Sequence, residues 1–246
     1  MRKIVAIGGG GFGTKHSTKP INEEIIKLTK KKNPNLLFIP TASLDSQEYV
    51  KNIQEHFDKL NCPVDVLYLI KEKPNRNEIK NKINSADIIY VGGGNTLRMM
   101  TLWRNLGVDQ LLLKAYQSGK VMCGVSAGSI CWFKFGNSDS RKFKNPEADF
   151  IKVTGLGFIN ALHCPHYDSE KERQKSLKNM MKKVSQIAIA IDDYCAIEVI
   201  DDKYRILSTK PEANAYKIYW KNGKFVHEVI EQKEKFESLE ELLTKN

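Results

Sequence analysis

The chain has 246 residues, 41% of them apolar, a length and composition that can bury a real core and suit one large α/β domain spanning 1–246. The formal charge is +10, but the lysines are scattered through KLTKKKNPN, KEKPNRNEIKNK and KNMMKK among Asn and Glu, on what read as solvated helix faces. This argues against nucleic acid as the partner and leaves attraction of acidic small substrates as the use of that field. There is no apolar run of the roughly eighteen residues that a membrane span needs. The opening MRKIVAIGGGG lacks an A-x-A-like cleavage site and reads as a first strand. Five cysteines without a C-x-x-C pair speak against a disulfide framework or a zinc site, and for reduced thiols in a cytoplasm.

Along the chain, short apolar runs alternate with helix-permissive segments. Strands are expected at KIVAIG (3–8), NLLFIP (35–40), VDVLYLI (64–70), ADIIYVG (86–92) and VMCGV (121–125), with helices near 20–32, 46–60, 76–84 and 95–118. Near-continuous apolar strands, each followed by a helix, predict a three-layer, doubly wound, mostly parallel sheet, with 2-1-3-4-5 as the expected strand order. After the fifth strand the pattern turns Gly-rich. A helix near 169–184 follows, then the strand-like IAIAIDDYCAIEVI, a C-terminal β-hairpin turning at Asn222-Gly223, and a charged helix in the tail.

Three glycine-rich turns stand at strand ends. Gly8 to Gly13 fits G-x-G-x-x-G, but Pro20 and a polar stretch delay the helix and the second strand ends FIPTAS, without the acidic residue a dinucleotide site needs. A flexible or substrate-lining turn is the better reading. Gly92-Gly93-Gly94-Asn95-Thr96 runs into a helix; it is either a tight turn capped by Asn95 or Thr96, or a backbone presenting N–H donors to a ligand. The third, Gly124-x-Ser126-x-Gly128, ends a strand and opens a helix, the context of a nucleophile elbow. Small flanking residues give the sharp turn room, and the Ala127 N–H is placed as an oxyanion donor.

A nucleophilic serine needs a base held by a carboxylate. His16, His56 and His227 read as ordinary surface residues. His163 and His166 share the segment ALHCPHYDSE; Pro165 fixes the backbone before His166, which is taken as the base, while His163 packs or bonds locally. Asp139, Asp168, Asp192, Asp193 and Glu198 are all open as the carboxylate, and spacing does not choose among them.

GGGNT, then GVSAGSICWF with NSDS, then PHYDSE resemble the serine peptidase family of dipeptidase E and cyanophycinase, over roughly residues 1–200. The resemblance implies a flavodoxin-like, class I glutamine-amidotransferase-like fold in which serine replaces the amidotransferase cysteine. It implies Ser126 as nucleophile, His166 as base, Asp139 as the charge-relay carboxylate, and backbone N–H groups of Gly93, Gly94 and Ala127 as the oxyanion hole. No cofactor or metal is implied. Dipeptidase E acts on peptides with an N-terminal aspartate, so a pocket cation is expected, with Arg173 as the candidate and Asn95 as a second substrate-binding side chain. The resulting expectation is a cytoplasmic serine peptidase for short peptides; a homodimer through an exposed strand edge stays open. The alternatives are an α/β-hydrolase esterase, which shares the elbow but lacks an HGG-type loop here, and a non-catalytic small-molecule or nucleotide binder using GGGGFG.

Overall fold

In a computed structural model describing residues 1–13 and 15–245, the expected alternation holds through the first half. The elements are β1 (Lys3–Ile7), α1 (Lys19–Lys27), β2 (Leu36–Ile39), α2 (Gln47–Asp58), β3 (Val64–Val66), α3 (Arg76–Ser85), β4 (Ile88–Val91), α4 (Thr96–Leu106), α5 (Val108–Gln117) and β5 (Val121–Val125). The expected helix 95–118 is two helices, because Gly107 at φ 68° takes the left-handed conformation that ends α4. The expected strand 64–70 stops at Val66.

The second half holds α6 (Ala127–Ile130), β6 (Phe133–Ser138), β7 (Ile151–Thr154), β8 (Ile159–Cys164), α7 (Lys171–Met180), β9 (Ala188–Ile191), β10 (Cys195–Ile200), β11 (Lys203–Ser208), β12 (Ala215–Lys221), β13 (Lys224–Ile230), β14 (Glu237–Ser238) and α8 (Leu239–Leu243). The tail is thus helical only over its last turns. The β12–β13 hairpin turns at Asn222 and Gly223, with φ of 50° and 76°, the conformation this dipeptide favours between twisted strands.

The strands form two sheets, ordered β14-β11-β10-β1-β5-β4-β2-β3 and β13-β12-β9-β8-β6-β7. The expected order 2-1-3-4-5 is corrected: among the first five strands it is 1-5-4-2-3, with β1 parallel to β5 and β2 between β4 and β3. Burial explains the difference. LLFI of β2 is wholly buried and belongs inside the sheet, whereas β3 carries the exposed Asp65 and takes the edge. β4 and β5 remain neighbours.

Alternation along each strand divides the core. Val5, Ile7, Phe38 and Tyr90 face α1 and α2 through Ile25, Ile53 and Phe57. Ile4, Leu37, Ile89 and Met122 face the other way, with Met99 and Trp103 of α4 and with Ile159, Ile189 and Tyr219 of the second sheet. Leu162, Ala188 and Ile218 on that sheet's far face pack on Leu177 of α7. All five cysteines are buried and free. Among the described residues no helix is long and apolar enough to cross a membrane.

Candidate active site

Ser126 sits between β5 and α6 at φ 56°, ψ −116°, a conformation that a residue with a side chain rarely adopts. Its flanking glycines are required by close approach: a side chain on Gly124 would meet the Gly128 and Val91 carbonyls, and one on Gly128 would run into the Val91 carbonyl itself. The turn is fastened from below, where the Ser126 carbonyl accepts from the Ser129 and Ile130 N–H groups, each at 3.0 Å.

The rim of β1 gathers the rest. Three successive carbonyls, of Ile7, Gly8 and Gly9, accept from the N–H groups of Ser126 (3.2 Å), His166 (3.3 Å) and Tyr194 (3.0 Å). One strand end therefore fixes the main chain at the elbow, at the segment after β8 and at the turn joining β9 to β10. Gly9 passes directly against the His166 ring and Asp193 Oδ1, where any side chain would collide. Gly10, at φ 95°, lies against the Tyr194 ring. Gly8, Gly9 and Gly10 thus serve close packing, while a side chain on Gly11 would meet nothing within 4 Å; α1 starts only at Lys19, so no helix N-terminus follows the glycines as a dinucleotide site needs.

His166 Nδ1 lies 2.6 Å from Asp193 Oδ1, and both side chains are about a quarter exposed. Partial burial works against the Asp193 carboxylate, yet the hydrogen bond and charge of His166, with help from Ser169, hold it below the usual carboxylate range. Asp168 positions this group from behind by accepting the Asp193 N–H at 2.9 Å. The neighbouring Asp192 points inward, accepting from the Asn214 N–H (2.8 Å) and the Tyr216 hydroxyl (3.2 Å), and burial pushes it up to about 6.

The carboxylate expected from the resemblance lies elsewhere. Asp139 follows β6, a strand of the second sheet, and stands 4.0 Å from the Arg173 guanidinium; the geometry gives His166 the Asp193 carboxylate instead. Arg173 is corrected as well. Its side chain is 2% exposed, donates to Glu170 at 3.0 Å and to the Asn137 carbonyl at 2.9 Å, and stacks on Phe150, so it braces α7 against β6 and has no free face for a substrate. Asn95 is also committed to structure: its side chain accepts from the Arg98 N–H and donates to the Ser140 carbonyl, capping α4.

The GGGN turn does stand beside the elbow. Gly93 faces Ser126, where a side chain would come within 3.4 Å of the serine Cβ, and Gly94 at φ 133° presses on the Ala42 carbonyl. Ala127 opens α6 next to the serine. The Gly93 N–H donates to the Tyr49 hydroxyl at 3.3 Å, a side chain that no sequence signal singled out. His163 behaves as expected of a packed histidine: buried, stacked on Phe133, bonded to Ser129 and the Ile189 carbonyl, with burial pushing it down to about 3.

A serine on a strained strand–helix turn and an imidazole backed by a carboxylate, their main chains seated on adjacent carbonyls at the end of β1, make up the candidate site on this α/β sheet. The family model of peptidase family S51 matches residues 4–207, and the chain belongs to that family of serine peptidases. It is 35% identical over 220 residues to the uncharacterized peptidase YgaJ of Bacillus subtilis, covering 89% of this chain and 92% of that one. It is 32% identical over 195 residues to Peptidase E of Shewanella denitrificans, covering 76% and 80%. A crystal structure of a peptidase from an acI-B1 Actinobacterium shares the fold, with TM-score 0.74 and 19% identity over 97% of both chains. So does a putative peptidase E of Listeria monocytogenes, with TM-score 0.65 and 20% identity over 85% of this chain and all of that one.

Proposed function

We propose that the chain hydrolyses short peptides through an acyl-enzyme, with Ser126 as nucleophile, His166 as general base and Asp193 as the carboxylate that orients it. The observation that carries this reading is the β1 rim, where adjacent carbonyls seat Ser126 and His166 while Asp193 occupies Nδ1. With Nδ1–H donated to Asp193, Nε2 is left to take the serine proton. Ser126 Oγ attacks the scissile carbonyl as that proton moves to Nε2, and Asp193 steadies the imidazolium. The tetrahedral oxyanion is held by the Ala127 N–H and by a second donor located at the Gly93–Gly94 turn. Collapse breaks the C–N bond, the departing amine takes the proton from His166, and water then attacks the acyl ester with His166 again as base.

Aspartyl peptides are the first substrate class to test, because the resemblance to dipeptidase E implies them and the chain is strongly basic. The guanidinium of Arg173 is excluded from that recognition by its burial, so any preference for acidic residues rests on other groups. The test is a library of dipeptides, Asp-X and β-linked aspartyl peptides included, against wild type and Ser126→Ala. Turnover by wild type that disappears in S126A supports the reading; equal turnover by both ends it.

A further inference from the structure

The Gly93 N–H belongs to the turn expected to receive the oxyanion, yet it is occupied: it donates to the Tyr49 hydroxyl at 3.3 Å. Two glycines make room for this arrangement. Gly92 lies beneath the Tyr49 ring, where a side chain would approach Cε1 to 2.9 Å, and Gly93 borders both partners, with its N–H on the phenol and its side-chain position 3.8 Å from the Ser126 hydroxyl oxygen. The ring is held edge-on against Phe38, centroids 5.2 Å apart, and its main-chain N–H is tied to the Ser46 hydroxyl that caps α2. A phenol oxygen that accepts one hydrogen bond keeps its own proton to donate. We propose that the Tyr49 hydroxyl is a donor of the oxyanion hole, standing between the Gly93 N–H and the oxygen of the tetrahedral intermediate.

This deepens the Ser126 peptidase reading and rests on it. The chain Gly93 N–H to Tyr49 O–H to oxyanion runs all its donors in one direction, so each bond polarises the next. Burial, opposed by the Gly93 hydrogen bond, lifts the Tyr49 pKa above its ordinary value, so the donor proton is retained at neutral pH. A direct Gly93 contact to the oxyanion would first require the phenol to leave. With the phenol as donor nothing has to move, which is what a preorganised site needs.

The experiment uses the full chain, with a fluorophosphonate probe and a dipeptide turned over by wild type. Tyr49→Phe keeps the ring on Phe38 and removes the hydroxyl, which is both the proposed donor and the acceptor of the Gly93 N–H. Its expected behaviour is an unchanged melting temperature, Ser126 labelling slowed by about 10²- to 10³-fold, and a kcat reduced to match with KM unchanged. Replacing Tyr49 with 3,5-difluorotyrosine, which ionises at lower pH, should add a new alkaline limb to the labelling rate as the phenol loses its proton. Labelling of Y49F at the wild-type rate overturns the proposal, and faster labelling does too, since Tyr49 would then merely compete for the Gly93 N–H. Should Y49F melt early, the difluorotyrosine profile decides, and absence of the alkaline limb overturns it. A wild type that the probe does not label, with S126A unchanged in turnover, overturns the peptidase reading itself and this inference with it.

Discussion

Gly9 lies flush against the pair formed by His166 and Asp193, so that the absence of a side chain at one residue leaves space for the 2.6 Å contact of two others. Gly9→Ala is expected to fold, because the β1 ladder is untouched, while the added methyl displaces the imidazole or the carboxylate. Turnover should fall by two orders of magnitude or more, about the cost of a 1 Å misplacement of a catalytic group. Steady-state kinetics beside a near-unchanged circular dichroism spectrum checks this.

Asp193→Asn should lower kcat by roughly 10⁴-fold at neutral pH, by leaving His166 free to adopt the wrong tautomer. Asp139→Asn should cost far less, since Asp139 faces Arg173 at the end of β6. Measuring kcat for the two variants side by side separates the carboxylates; the reverse ranking would restore Asp139.

Arg173→Met removes a buried cation and leaves Glu170 and the Asn137 carbonyl without their partner. The expected loss is about 2 kcal/mol in urea unfolding, mostly from the buried Asn137 carbonyl left without its donor, since Glu170 is partly exposed to water. KM for acidic and neutral dipeptides should shift together. A selective rise for acidic ones would show that the guanidinium reaches substrate.

Asp192 provides a pH signature. Its folded-state pKa is raised to about 6, above the ordinary value 3.8, so the folded chain holds a proton that the unfolded chain releases between those values. Stability from this group is therefore full below about pH 4 and lost as pH climbs through about 6, on the order of 3 kcal/mol. Asp192→Asn keeps an acceptor for Asn214 and Tyr216 but removes the titration. Urea unfolding at pH 4.5 and 7.5 should show a smaller fall for the variant than for wild type.

Gly128→Ala tests the elbow, where a methyl meets the Val91 carbonyl in the middle of the parallel block. Loss of about 3 kcal/mol or failure to fold is expected, as for other overpacked core sites; a melting curve decides.

What was legible in the sequence was local. Gly124-x-Ser126-x-Gly128 after VMCGV carries its own geometry, and the GGGNT turn lies beside it because β4 and β5 are neighbours in both the expected order and the observed one. Asp193 was among the candidates but could not be chosen, since which residue of the Asp192-Asp193 pair turns outward depends on how the chain leaves β9 for a different sheet, with Tyr194 at φ 64°. The burial of Arg173 depends on β6 and the loop bearing Phe150, segments with no sequence-local tie to α7. The second sheet stayed hidden because β6 and β8 pair in parallel across an intervening strand and loop. Tyr49 carried no signal at all, since nothing in QEYVKN announces a phenol reaching the end of β4.

The seating of Ser126, His166 and Tyr194 on three neighbouring carbonyls has a consequence for folding. The three segments are far apart in the sequence and all return to one strand end, so each bond is a long-range contact that carries a loop-closure cost. All three are closed only once the chain beyond β9 has docked onto the end of β1.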